Sequence, residues 1–99
     1  MSEDARRILC IEDNPVNWRL VKRLLEQAGF EMHWAEEGLL GFEMAQRIHP
    51  DLVLLDINLP GLSGFEVATK FRQCEEFKTL PIVALTAKIQ RDDRDTALV

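Results

Sequence analysis

The sequence predicts an α/β domain, an open parallel sheet with helices on both faces, and three observations carry that expectation. Short apolar runs alternate with stretches of helical periodicity along the chain. The apolar runs are nearly continuous rather than alternating, the pattern of strands buried on both faces. Turn formers and acids close those runs, so the chain leaves each strand at once for a helix.

The elements follow in order. Residues 7–12 read as a first buried strand, closing on Glu12 and Asp13. Asn14 offers a helix N-cap and Pro15 a first-turn residue. Val16, Leu20, Val21, Leu24, Leu25 and Ala28 then recur at helical spacing and predict one apolar face, with Trp18 off it and Gly29 as the stop. Residues 32–35 read as a short second strand. A second helix fits 38–48, with Gly41, Phe42, Ala45 and Ile48 on one face, and Pro50 ends it for want of a backbone donor. Residues 51–56 form a third strand that terminates in an acid. A third helix is expected from about Gly64 to Gln73, burying Val67, Ala68 and Phe71, and Pro81 to Thr86 is the fourth strand. The segment from Lys88 to Val99 is polar and helix-compatible.

Composition bounds the function. Ninety-nine residues make one domain, and 46% apolar residues can furnish a core. A net charge of -5 argues against gripping a nucleic-acid backbone through this segment. The apolar stretches fall far short of a membrane span, and the polar first residues lack a signal-peptide core, so the cytoplasm is the expected compartment. Two cysteines do not make a disulfide framework; Cys10 reads as a buried free thiol. His33 and His49 have no partner at ligand or catalytic spacing, and no phosphate-binding glycine loop is present. Trp18 and the pair Leu39-Leu40 are candidates for a docking or dimer patch.

Glu12, Asp13, Asp56 and Thr86 all fall at carboxyl ends of strands, the edge where open parallel sheets bind ligands. Clustered carboxylates raise one another's pKa and call for a compensating cation. Hard oxygen donors suit Mg²⁺. The plainer alternative, that Glu12 and Asp13 merely favour the N-terminus of the helix after them, leaves the acid at the end of the third strand without a role.

Three motifs carry a family resemblance. Ile8-Leu9-Cys10-Ile11-Glu12-Asp13-Asn14 resembles the opening of a response-regulator receiver domain. The segment from Asp51 to Gly64 is similar to that family's phosphorylation-site region, and Pro81 to Ala87 to its fourth strand and hydroxyl switch. They occur in the right order and span nearly the whole chain. The resemblance implies a flavodoxin-like receiver with strand order 2-1-3-4. It implies that Asp56 accepts a phosphoryl group from a sensor histidine kinase or a histidine phosphotransfer protein. Glu12, Asp13 and Asp56 would hold Mg²⁺ with the backbone carbonyl of Asn58, and Thr86 would contact the phosphoryl group. Such a module is not an enzyme beyond its own phosphorylation and dephosphorylation.

The chain departs from the family pattern at its far end. Residues 1–99 are expected to form a C-terminally incomplete receiver, ending inside the fourth helix and lacking the family's last strand and helix. The lysine and the aromatic switch residue of the family's fifth strand then have no counterpart, and Lys88 lies in the wrong place to replace that lysine. The fourth strand would become an apolar edge and invite self-association. Two other functions compete. One is a receiver-derived binding or assembly module that no longer switches by phosphorylation. The other is an aspartate-nucleophile phosphohydrolase, disfavoured because those enzymes carry an Asp-x-Asp nucleophile after the first strand.

Overall fold

The computed structural model describes residues 5–59 and 61–85 together with the backbone of 97–98. Strand β1 runs Arg7–Ile11, helix α1 Pro15–Gln27, strand β2 Glu31–Ala35 and helix α2 Gly38–Ile48. Strand β3 covers Leu52–Asp56, helix α3 Gly64–Gln73, and strand β4 Ile82–Leu85, with a short 3-10 turn at Glu75–Phe77. These strands form one parallel sheet in the order β2-β1-β3-β4, as the family resemblance implied.

Side chains alternate across a strand, so each strand feeds two layers. Leu9, Ile11, Val53, Leu55 and Ile82 enter the main core with Ala35, Ala45, Val67 and Phe71 of the neighbouring elements. Phe71 is completely buried and sits among Phe42 and Phe77, with ring centroids 5.2 Å from each. Gly41 lets α2 lie on this layer: a Cβ there would meet the Ile11 side chain at 2.4 Å. The face assigned to α2 from sequence is the one it buries.

Helix α1 differs from its sequence reading. It buries Trp18 and half-buries Val21 and Leu25, whereas Val16, Leu20 and Leu24 are exposed. Two stripes of apolar residues run along this helix, and spacing alone merges them into one face. Trp18 decides which turns inward, because its ring stacks on Trp34 of β2, with centroids 5.3 Å apart and planes 11° from parallel. Trp18 is therefore part of the core and not of a surface patch; Leu39 and Leu40 are the exposed members of that expectation.

The far edge also differs. Ala97–Leu98 form a two-residue strand β5 that pairs antiparallel with β4, Val83 opposite Leu98 and Ala84 opposite Ala97. A helix-compatible pattern was expected to run through these positions and leave β4 open. The unpaired donors and acceptors of an apolar strand are costly to leave bare, and a short apolar segment can cap them. Residues 86–96, which include Thr86 and Lys88, lie outside the described residues, as does Pro60.

Candidate functional site

The acidic edge is built by register. Parallel pairing sets Ile11 beside Leu55, so the next residues along, Glu12 and Asp56, emerge side by side from adjacent strands. Asp56 itself pairs with Leu85 of β4, and the Ile57 N–H donates to the Leu85 carbonyl at 3.0 Å. Glu12 and Asp56 are buried, 5% and 6% exposed, whereas Asp13 opens to solvent. One carboxylate oxygen from each of Glu12, Asp13 and Asp56 lies within 4.8 Å of the others.

Helix N-termini frame these acids. The Asn14 side chain caps α1 by accepting from the N–H groups of Val16 and Asn17, at 2.8 and 3.4 Å. Capping is thus the work of Asn14, which frees the acid pair for another role. The Asn14 N–H donates in turn to Glu12 Oε2 at 3.1 Å. Asp56 Oδ1 accepts the Asn58 N–H at 3.0 Å, which fixes the carboxylate as the chain turns away from β3. Helix α3 begins directly behind. Ser63 and Glu66 form a reciprocal capping box, and a Cβ on Gly64 would lie 2.6 Å from the Ile57 Cα and 2.7 Å from the Asp56 carbonyl oxygen. This close approach went unread in the sequence, although Ser63-Gly64-Phe65-Glu66 carries the capping-box signature.

Two like charges held out of water leave an electrostatic trace. Burial pushes the Glu12 carboxyl up from 4.5 to about 7; the Asn14 N–H pulls it down, and the neighbouring Asp56 charge adds to the rise. Burial likewise pushes the Cys10 thiol up to about 12, with Glu12 and Asp56 contributing, so Cys10 is an inert buried thiol. The donor set is all oxygen, partly buried and open on the Asp13 side. It fits a hard divalent cation that keeps some of its water, such as Mg²⁺.

Of the residues singled out in the sequence, the fold brings Glu12, Asp13 and Asp56 together; Asn58 meets Asp56 through its N–H, and Thr86 lies outside the described residues. His33 and His49 stand apart, paired with Glu31 at 2.7 Å and Glu76 at 3.4 Å. Sequence reasoning missed Trp34, whose indole Nε1–H donates to the Glu12 carbonyl at 2.7 Å.

Comparison with known proteins agrees with this geometry. The family model of the response regulator receiver domain matches residues 8–99. The polar-differentiation response regulator DivK of Brucella ovis is 36% identical over 91 residues, covering 92% of this chain and 74% of DivK. Among solved structures, the receiver domain of a sensor histidine kinase from Pseudomonas aeruginosa PAO1 superposes with a TM-score of 0.80 at 33% identity, over 91% of this chain and 74% of that one. That structure has a magnesium ion coordinated in its active-site cleft. The response regulator TrrA of Thermotoga maritima, solved in complex with Mg²⁺ and BeF, gives a TM-score of 0.78 at 36% identity over 89% of this chain and 75% of that one. The match spans nearly the whole chain in sequence and in fold, and the chain belongs to the response-regulator receiver family of two-component signalling.

Proposed function

We propose that this domain is a phosphoacceptor signalling module in which Asp56 takes a phosphoryl group from the phosphohistidine of a sensor histidine kinase or phosphotransfer protein. The observation that carries the reading is the meeting of buried Asp56 and Glu12 with exposed Asp13 at one sheet edge. A carboxylate oxygen of Asp56 attacks phosphorus, the phosphorus–nitrogen bond of the donor breaks, and the imidazole leaves with the electron pair. The Asn58 N–H holds the Asp56 carboxylate in one orientation, which lowers the entropic cost of an in-line approach. Glu12, Asp13, Asp56 and the Asn58 carbonyl are the groups that would hold Mg²⁺. When bound, that ion neutralises charge on the phosphoryl oxygens. Thr86 is the residue proposed to contact the phosphoryl group and pass the change onward.

The remaining parts of the reading follow from charge and shape. The acidic balance suits a protein partner rather than nucleic acid. No described helix is long and apolar enough to cross a membrane, which suits a cytoplasmic setting. The module signals by conformational change and turns over no substrate beyond its own phosphoryl group. The test is intact-mass spectrometry after incubation with acetyl phosphate and Mg²⁺. One phosphate adduct is expected, lost in Asp56→Asn and suppressed by a chelator. A folded sample that takes up no phosphate would instead indicate a binding module without a switch, and sustained phosphate-ester turnover would indicate a hydrolase.

A further inference from the structure

Glu12 is held by β2 through both of its backbone polar groups. Its N–H donates to the Ala35 carbonyl at 3.0 Å, and its carbonyl accepts the Trp34 indole Nε1–H at 2.7 Å. The register pairs of β1 and β2 end at Ile11 and Ala35, so the Glu12 carbonyl lies beyond the ladder. A buried carbonyl there needs a partner, and a side chain supplies it. The indole is itself fixed by its stack on Trp18, which is 8% exposed and whose backbone N–H donates to the Asn14 carbonyl at 3.0 Å in the first turn of α1. One set of contacts therefore joins β2, α1 and the turn between β1 and α1.

The carbonyl in question has a particular place. A peptide unit is planar, and the plane that carries the Glu12 oxygen also contains the Cα atoms of Glu12 and Asp13. A hydrogen bond that orients this plane orients the two carboxylate-bearing residues relative to each other. We propose that Trp34 is a positioning residue for the cation site, its indole N–H fixing the Glu12–Asp13 peptide plane and its stack on Trp18 fixing the indole. The proposal rests on reading the acidic edge as a Mg²⁺ site. Groups that orient ligands without touching the ion commonly alter affinity by about 10–100-fold. By linkage, an ion that tightens the acidic pair also changes the environment of the indole. The chain has two tryptophans, and both belong to this stack.

The test uses Trp34→Phe, which keeps an aromatic ring for stacking and removes the donor. Mg²⁺ affinity is measured by titration calorimetry on protein shown by circular dichroism to be folded. A loss of about tenfold or more is expected. In the wild type, the Trp34 indole N–H resonance, assigned by its absence from the variant, should shift along the same Mg²⁺ isotherm; this second readout holds if the variant fails to fold. A folded Trp34→Phe with affinity within about twofold of wild type, or an indole resonance that ignores Mg²⁺, overturns the positioning role while leaving the cation site standing. A wild type that binds no Mg²⁺ overturns the reading of the site, and the positioning role with it.

Discussion

Replacing Glu12 with Gln should stabilise the cation-free domain in a pH-dependent way. Burial and the Asp56 charge lift the Glu12 carboxyl from 4.5 to about 7 in the fold. One pKa unit corresponds to about 1.4 kcal/mol, so ionised Glu12 costs the folded state at most about 3 kcal/mol. Below pH 4.5 the folded and unfolded chains both carry the proton and there is no cost. Between 4.5 and about 7 the folded chain keeps a proton that the unfolded chain has lost, so stability falls as pH rises. Above about 7 the full cost is present. Gln has nearly the same shape, can accept the Asn14 N–H, and can donate its amide to Asp56. In chelator, Glu12→Gln should therefore be more stable than wild type by up to about 3 kcal/mol at pH 8, and nearly equal to it at pH 4.5. Urea unfolding followed by tryptophan fluorescence at both pH values measures the difference. Adding Mg²⁺ at a hundred times its dissociation constant stabilises the wild type by about 2.7 kcal/mol and should close most of the gap. A stability difference that is flat with pH, or larger in acid, would refute the account of why this carboxyl titrates high.

Other outcomes follow from packing and from the acidic edge. Gly64→Ala sets a carbon against the backbone of Ile57 and Asp56, atoms that cannot rotate away. It should cost about 1–3 kcal/mol in urea unfolding and slow phosphorylation as well. Phe71→Ala empties the centre of the ring cluster and should cost about 3–5 kcal/mol, read as a lower thermal midpoint. Asp13→Ala leaves the buried pair in place and should weaken Mg²⁺ binding in calorimetry; an unchanged affinity would remove Asp13 from the site.

Much of the molecule could be read before its structure was known, because period and punctuation were clear. Continuous apolar runs gave β1, β3 and β4, and Asn14-Pro15, Gly29 and Pro50 marked helix limits within a residue or two. The acidic edge was legible because a parallel sheet sends every strand's carboxyl end to one side. The inward face of α1 was not. Helical spacing permits either stripe, and the choice depends on Trp34, which lies on another strand. The clamp on the Glu12 carbonyl was hidden for the same reason: Trp34 is 22 positions away, and nothing local marks it as a donor to that turn. The Ala97–Leu98 strand was obscured because pairing, not propensity, decides the state of so short a segment.

Asp56 is the proposed carrier of the phosphoryl group. After reaction with a phosphodonor and Mg²⁺, borohydride reduces an acyl phosphate to the alcohol, so a phosphorylated aspartate becomes homoserine. Peptide mapping should find homoserine at position 56, and only in samples that held Mg²⁺. Homoserine at another acid, or equal yields with chelator present, would contradict the account.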